Sequence, residues 1–320
     1  MQSRTASLIS AIGRRVRRPS VSEALERFPL RHRLAVAAFV SILALSGAVG
    51  AQSVVRDDRG VSVTLAGPPA RIVSLLPSLT ESVCALGYCA HLVGTDPLSN
   101  WPASVAALPK IAGTEKEQLE RVVALNPDVV LVSSDVRLGK RLERAGLKVI
   151  ALASRKHADV HRTLGLLAQI FGVPPEAERL WSNIERDLAA AAARVPAGLR
   201  GQRVYFEVDA TPRGAGSGSF IGETLVRLGL RNALPPELGP LPKAKPETMV
   251  KLQPDLIMAS EAALAEMPKR RGWKSLRALE AHRTCAFPTE RAEMIARPGP
   301  RMGEAARLLA DCLVSASNAR

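Results

Sequence analysis

The chain has 320 residues, of which 47% are hydrophobic, and a formal net charge of +14 at pH 7. This length allows one large or two medium domains with a substantial core, and the composition is that of an ordinary globular protein. Aromatic residues make up only 3%, and beyond residue 51 the one run of three basic residues is 269–271. A nucleic-acid partner, which requires a clustered basic face with stacking rings, is therefore not expected.

The first 51 residues have a different composition. They contain eight Arg and two Glu, a net +6, which leaves +8 for the rest, and an apolar stretch at 34–45 precedes the small residues 49–51. Twelve residues at ~1.5 Å each cannot span ~30 Å of hydrocarbon. We predict an export signal over 1–51 with a long basic leader, cleaved to leave the protein in the periplasm. Retention as a membrane anchor is the alternative.

Four cysteines in an exported chain suggest two disulfides, and three pairings are arithmetically possible. We favour Cys84 with Cys89, because Gly87 should end a helix and turn the chain between them. Cys285 would then pair with Cys312. Four reduced thiols are the alternative, and the spacing does not favour a zinc site.

Two segments of the chain repeat one pattern. Residues 119–132 and 246–259 both contain Glu, four residues, Leu, any residue, Pro-Asp and an apolar run, so that Glu120 matches Glu247. Glu81 and Glu223 form a second matching pair, each followed after four residues by Leu-Gly. The repeat predicts two related lobes, and a cleft between lobes is a favoured ligand site.

The elements before residue 160 alternate between strand and helix, which predicts a parallel sheet. Ser78 is predicted to cap the first helix, with Glu81 completing a capping box. The predicted elements are a hairpin at 54–65, strands at 71–75, 91–95, 128–132 and 148–152, and helices from 78, at 117–125 and at 137–145.

The second half contains a run without Gly or Pro, 176–195, which predicts a rigid helix ~30 Å long. The elements that follow are a strand at 203–208, a Gly-rich loop at 214–218, a helix at 220–228, the second copy of the repeat, a strand at 284–287, a loop at 297–300 and a terminal helix to about 314. We therefore predict a first lobe over 52–160, a helical connector over 161–198 and a second lobe over 199–320.

Metal, nucleotide and catalytic motifs are weak in this sequence. His157 and His161 have the spacing of a helical metal pair, but Ala158 stands where a zinc peptidase carries Glu and no third ligand is evident. The Gly-rich loop lacks nucleotide-binding spacing. No nucleophile–base set is found, and Glu81 and Glu223 are interpreted as carboxylates that stabilise helix starts. We expect neither an enzyme nor an intrinsic cofactor or metal.

The segment RIVSLLPSLTE, the two repeat copies, the long helix and the RPGPR loop resemble the helical-backbone class of ABC-importer solute-binding proteins, which bind vitamin B12, ferric siderophores and haem. The resemblance covers residues 60–316 and implies an α/β fold with two Rossmann-like lobes, parallel sheets and one long joining helix. It also implies a ligand between the lobes and one glutamate per lobe that meets arginines of the membrane permease. Motif position assigns these roles to Glu120 and Glu247.

The closest similarity is to the vitamin B12-binding branch. Where that branch places aromatic rings around the corrin, this chain has Leu98, Glu115 and Leu241 and keeps only Trp101. Cobalamin is the favoured cargo and a ferric siderophore the second; a haem receptor, with only Tyr88 and Tyr205 as tyrosines, is the alternative. By loop position, the candidate ligand-binding residues are Pro77, Ser78, Leu98, Trp101, Arg213, Ser219 and Arg297.

The resulting hypothesis is a monomeric periplasmic receptor that captures a metal chelate and delivers it to an ABC permease and its ATPase. Two hypotheses compete with it. One is an exported two-lobed enzyme, and the other is an exported structural or partner-binding protein.

Overall fold

The computed structural model describes residues 53–134, 137–209 and 211–318. Residues 51–320 form one compact unit, and the predicted export signal at 1–51 lies outside the described residues. Within the described part of the chain, no helix combines the length and apolar character needed to cross a membrane.

The first lobe contains a short antiparallel hairpin and a parallel sheet of four strands in the order β4-β3-β5-β6. Its two central strands are buried at every position except Ser133, as expected for a parallel sheet covered by helices on both faces. The elements are β1 (Ser53–Arg56), β2 (Ser62–Leu65), β3 (Ile72–Ser74), α1 (Pro77–Ala85), β4 (Leu92–Thr95), α2 (Glu115–Ala124), β5 (Val129–Ser133), α3 (Arg137–Arg144) and β6 (Val149–Leu152).

Two helices, α4 (His157–Phe171) and α5 (Pro174–Arg194), lead to the second lobe. Its four strands are again all parallel, in the order β10-β9-β7-β8. The elements are β7 (Arg203–Phe206), α6 (Phe220–Arg227), β8 (Arg231–Asn232), α7 (Pro246–Leu252), β9 (Leu256–Ser260), α8 (Glu261–Glu266), α9 (Arg277–Glu280), β10 (Thr284–Phe287), α10 (Thr289–Ala296) and α11 (Met302–Asn318). The predicted α/β fold with two parallel sheets and a long connecting helix is thus confirmed.

The long helix α5 has 21 residues, which corresponds to a length of ~32 Å. Gly172, with φ of +74°, ends α4, and Pro174 begins α5, where its missing N–H has no helical partner to lose. Ile184, Leu188 and Ala191 are buried at helical spacing. The helix packs against both α4 and α11, which hold it in place.

The predicted start of α1 is wrong. The helix begins at Pro77, Leu76 occupies the cap position, and no side chain caps the first turn. Proline fixes φ near the helical value and suits the first helical position, so it begins the helix one residue before Ser78 could act as a cap. Glu81 therefore does not belong to a capping box.

Several short elements of the second lobe were not predicted from the sequence. Strand β8 has two residues and helices α8 and α9 have six and four. Segments of this length are too short to show a period of two or 3.6 residues.

The structure contains the two favoured disulfides. Cys84, near the end of α1, is bonded to Cys89, and Cys285 of β10 is bonded to Cys312 of α11. The second bond joins the edge strand of the sheet to the terminal helix, which itself packs on α5.

The repeated Pro-Asp of the sequence forms one arrangement in both lobes, which we name the arginine–aspartate clamp. In the second lobe, Asp255 Oδ2 accepts from the Arg203 amide at 2.8 Å. The Arg203 guanidinium donates to the carbonyls of Leu252 and Gln253, both at 2.9 Å, at the end of α7. These carbonyls lack helical partners, and a cation there also suits the negative end of the helix.

The first lobe repeats the clamp with Arg71 and Asp128. Asp128 Oδ2 accepts from the Arg71 amide at 2.9 Å, and the Arg71 guanidinium donates to the carbonyls of Leu125 and Asn126 at 2.7 and 3.1 Å. The residue before each Pro-Asp is left-handed, with φ of 44° at Asn126 and 45° at Gln253. The repeat thus fixes one helix to the first strand, in chain order, of each parallel sheet.

We expect Asp255→Asn to lower the free energy of unfolding by about 1–2 kcal/mol, because a charge-assisted hydrogen bond becomes a neutral one. Burial opposes ionisation, but hydrogen bonds from Arg203 hold the pKa of Asp255 below its ordinary value. The effect should therefore be present at neutral pH and shrink as the pH falls through that pKa. Urea unfolding measures it.

Asp311→Asn is the matched control, since Asp311 is half exposed and paired with the half-exposed Arg194. Its cost should be about 0–1 kcal/mol. Equal losses in the two variants would contradict a structural role for the clamp.

Candidate functional site

Loops that follow the strands of the first lobe meet a loop of the second lobe, residues 297–301. In open α/β sheets, ligands bind outside the carboxyl ends of the strands. A cavity of about 530 Å³, larger than either cavity at the lobe boundary, lies at the opposite edge of the first sheet. It is lined by residues 65–70, 126–128 and 146–148. Because those loops precede the strands, the boundary between the lobes is the better candidate.

A buried carboxylate lies at this boundary. Glu81 of α1 is 3% exposed and accepts hydrogen bonds from two arginines of the second lobe. Arg297 Nη1 donates at 3.0 Å, and Arg301 donates through Nε at 2.9 Å and Nη2 at 2.8 Å. Burying a charge is unfavourable unless it is paired, so these bonds join the lobes.

Arg297 also binds the loop that carries Leu98. Its Nη1 donates to Asn100 Oδ1 at 2.7 Å, and its Nη2 donates to the Leu98 carbonyl at 3.1 Å and to Glu293 Oε2 at 2.9 Å. Among the described residues, this guanidinium donates hydrogen bonds to four oxygen atoms, two of which belong to carboxylates.

Lys110 lies under the loop that carries Leu98 and stabilises the conformation of that loop. Lys110 Nζ donates to the carbonyls of Ser99 and Val105 at 2.7 and 3.0 Å and to Thr95 Oγ1 at 2.9 Å. Burial lowers the pKa of Lys110, and the nearby Asp96 opposes that shift. The lysine thus fixes the loop on both sides of Trp101.

Two cavities of about 330 Å³ flank residues 297–301, which we name the arginine loop. One is lined from the first lobe by Ser154 and Arg155 and from the second by Val208, Ser219, Phe220, Ile221, Pro240, Leu241, Ala296 and Pro298. The other is lined by Glu81, Cys84, Ala85, Trp101, Pro102, Leu180, Pro300 and Arg301. Both have predominantly apolar walls with a few polar groups, which is the usual character of small-molecule sites.

The structure brings several of the predicted ligand residues together at this boundary. Arg301 lies over the Trp101 ring at 4.7 Å from its centre, and Leu98 and Trp101 are 68% and 48% exposed. Pro77 and Ser78 begin α1. Ser78 packs against Gly299 of the arginine loop, where a Cβ would lie 3.5 Å from the Ser78 Cβ.

Ser219 has a local structural contact as well as a place in the first cavity. Its Oγ accepts from the Gly222 amide at 3.1 Å and so caps α6. Arg213 lies elsewhere: its guanidinium pairs with Asp209, and with Lys243 it lines a separate pocket. The structure does not place Arg213 with the other candidates.

Sequence reasoning missed the ion pairs of Glu81, and with them Arg301, Glu293 and Asn100. It interpreted Glu81 as a helix-start carboxylate, which is wrong because its partners are the two arginines. The RPGPR loop has an arginine at each end, so Arg301 could have been proposed together with Arg297.

The predicted docking residues, Glu120 and Glu247, take no part in the hydrogen bonds described above at the lobe boundary. Both are exposed, on α2 and α7 respectively. Within the described residues, Glu120 is 3.8 Å from the exposed Lys116.

A buried histidine joins α4 to the second lobe. His157 is 3% exposed; its amide donates to Glu223 Oε2 at 2.9 Å, and its Nε2 lies 2.8 Å from Thr224 Oγ1. The Thr224 hydroxyl donates to the Phe220 carbonyl. We therefore assign the proton of the neutral ring to Nε2, which leaves Nδ1 to accept from Arg227 at 3.4 Å. Glu223 thus stabilises the start of α4.

The two histidines of the possible metal pair have separate partners. His161 stacks on Trp181 with ring centres 4.5 Å apart, and its Nε2 is 3.6 Å from Glu178. Among the described residues, no group of three His, Cys, Asp or Glu side chains could hold a metal ion.

Comparison with known proteins identifies the family. The profile described as "Periplasmic binding protein" matches residues 72–289, so this chain belongs to that family. The chain is 27% identical over 268 residues to the uncharacterized ABC transporter substrate-binding lipoprotein YvrC of Bacillus subtilis, covering 80% of this chain and 84% of the relative.

Two further proteins are similar to this chain. A vitamin B12-binding protein of Vibrio parahaemolyticus is 24% identical over 245 residues, which cover 75% of this chain and 88% of the relative. A periplasmic heme-binding protein from Pseudomonas aeruginosa superimposes with a TM-score of 0.66 at 25% identity, over 77% of this chain and 93% of the other. The fold is that of the helical-backbone binding proteins, which take part in transport rather than catalysis.

Glu81→Gln should lower the free energy of unfolding by about 3 kcal/mol, since it leaves two arginines without their buried charged partner. Glu293→Gln is the control, because Glu293 is 40% exposed and its pair with Arg297 should contribute about 0–1 kcal/mol. Denaturant unfolding compares the two variants. A loss in Glu81→Gln as small as in the control would contradict the role of Glu81 in joining the lobes.

His157 should make stability depend on pH. Burial lowers its pKa below 6.5; Glu223 of α6 and Glu185 of α5 oppose the shift, and Arg227 of α6 adds to it. The unfolded chain then binds the proton first as pH falls below about 6.5, so stability should decrease, by at most about 1.4 kcal/mol per pH unit.

His157→Gln should remove this part of the pH dependence in thermal unfolding measured between pH 8 and 5. His282→Gln, at an exposed position, should leave it unchanged. If the parent and His157→Gln showed the same pH profile, the pH dependence could not be assigned to His157.

Proposed function

We propose that this protein is an exported receptor of an ABC importer whose cargo is a metal chelate with little net negative charge. Cobalamin is the favoured cargo and a neutral ferric hydroxamate siderophore the second. The protein would hold the chelate between its lobes and deliver it to a membrane permease.

The observation that carries the cargo class is the pairing of the arginines at the lobe boundary. Arg297 and Arg301 both bind Glu81, and Arg297 also binds Glu293. The two cationic groups are therefore matched by two carboxylates of the protein. A cargo that depends on its own carboxylates, as haem depends on its propionates, would have to displace Glu81 and leave that charge buried without a partner.

Apolar side chains at the same boundary support a large, flat cargo. Leu98, Trp101 and Leu241 are 68%, 48% and 48% exposed. Exposed apolar groups that lie near a cleft mark places where a ligand can cover them. Trp101 offers an aromatic ring for stacking, whereas Leu98 and Leu241 offer aliphatic contact in place of the rings of the vitamin B12-binding branch.

The delivery step is assigned to the two matching glutamates. Glu120 and Glu247 are exposed on corresponding helices of the two lobes. One carboxylate per lobe fits a permease with two subunits that each present a basic group. The ATPase of the importer would then supply the energy for transport.

A haem receptor is the second candidate for the cargo, since a solved heme-binding protein has this fold. In this chain, however, the Tyr205 side chain is buried and donates to Glu207 at 2.9 Å. The Tyr88 hydroxyl donates to the Phe171 carbonyl at 2.6 Å. Both tyrosines thus have structural partners, which disfavours haem.

Calorimetry with cobalamin, a ferric hydroxamate and haem tests the cargo. We expect micromolar or tighter binding of cobalamin, weaker binding of the hydroxamate and none of haem. Trp101→Ala should weaken cobalamin binding roughly tenfold through lost ring contact. Leu238→Ala, at a 43% exposed apolar position that lines neither boundary cavity, is the control.

Failure to bind all three compounds would reject a chelate receptor. Tight binding of haem would instead overturn the argument from arginine pairing, while the receptor class would stand. Turnover of a bound compound would favour the exported enzyme.

A further inference from the structure

Each of the two matching glutamates has an exposed valine beside it. Val123 lies three residues after Glu120 and is 47% exposed, and Val250 lies three residues after Glu247 and is 37% exposed. Residues three apart on a helix are surface neighbours, with Cβ atoms about 5–6 Å apart. An acidic and an apolar group therefore stand side by side at matching places in both lobes.

The two Glu–Val pairs match in structure as well as in sequence. The residue between each Glu–Val pair that faces inward, Val122 in α2 and Met249 in α7, is fully buried. The arginine–aspartate clamp then fixes the end of each helix to its own sheet. The two Glu–Val pairs are thus presented in the same way by two rigid supports.

The immediate surroundings differ in detail but leave both pairs accessible. Glu120 is 3.8 Å from Lys116, and both side chains are more than half exposed, so the contact is weak. One methyl of Val250 lies over Gly272, where a Cβ would come within 3.0 Å of it. This contact covers one side of Val250 and leaves the outer side exposed.

We infer that each Glu–Val pair is one docking unit for the permease. Each permease subunit would present a cationic side chain next to an apolar depression that accepts the valine. This inference rests on the proposed function. Two copies of one unit, on related lobes, are complementary to a partner that repeats one socket about a two-fold axis.

Other occupants fit the charges less well. A membrane surface attracts basic segments, and its anionic lipids would repel Glu120 and Glu247. A second copy of this chain, meeting the first face to face about a two-fold axis, would bring like charges together. A partner with cations beside apolar sockets satisfies both members of each pair.

The test measures binding of the full protein to the importers of the source organism that carry cobalamin or ferric chelates, each reconstituted with its ATPase in lipid nanodiscs. Val123→Thr and Val250→Thr keep shape and helix propensity while replacing one methyl by a hydroxyl. Each should weaken binding several-fold, and the double variant roughly tenfold or more, since distant sites add. Val226→Thr, at a 54% exposed position on α6, is the matched control.

The kinetics separate the two members of the unit. The valine variants should raise the dissociation rate with little dependence on salt. Glu120→Lys and Glu247→Lys together should abolish binding and transport, while single charge reversals should slow association in a salt-dependent way. Chelate binding, measured by calorimetry, should be unchanged in every variant.

Unchanged binding in the double valine variant, with loss in the double glutamate variant, would overturn the inference and leave docking by the glutamates intact. If neither the valine variants nor the glutamate variants changed binding, or if the parent bound none of these importers, docking through this surface would be rejected altogether. Docking that follows the expected pattern in a protein that binds no chelate would instead reject the proposed cargo.

Discussion

The buried carboxylate of Glu81 is the constraint on which the arrangement of the two lobes depends. A charge that is 3% exposed must be paired, and its partners, Arg297 and Arg301, belong to the other lobe. Separation of the lobes at this point would expose three charges that now satisfy one another. Together with the continuous helix α5, this pairing favours small adjustments of the cleft over a wide hinge motion.

Hydrogen bonds between arginine and a carboxylate also act within each lobe, and they explain why the Leu-x-Pro-Asp segment is repeated. In each lobe, the arginine at the start of the first parallel strand donates its amide to the aspartate that follows the clamped helix, and its guanidinium donates to the free carbonyls of the helix end. The Leu-x-Pro-Asp spacing is therefore a requirement of the fold. The glutamate earlier in each helix, Glu120 or Glu247, is exposed and is not needed for the clamp, which leaves it available for the proposed docking to a symmetric partner.

The sequence predicted what local signals determine. Apolar runs with β-branched residues marked the strands, the absence of Gly and Pro marked α5, and Gly87 placed Cys84 near Cys89. The role of Glu81 was predicted wrongly because a capping-box pattern is local, whereas its partners lie 216 and 220 residues away. Such pairing leaves no periodic signal in the chain. Arg213 was placed by loop position, and its ion pair with Asp209 directs it to a separate pocket.

The pairing that joins the lobes also bears on selectivity. A cargo can gain affinity from Arg297 only by competing with Glu81, Glu293 and two oxygens of the loop around Leu98. Success in that competition would leave Glu81 buried without its full complement of partners, and this unfavourable term would be subtracted from the binding energy. A neutral chelate, the proposed cargo, would meet no such penalty, because it would cover Leu98, Trp101 and Leu241 and leave the ion pairs in place. Discrimination against anionic chelates would then follow from the same contacts that hold the two lobes together.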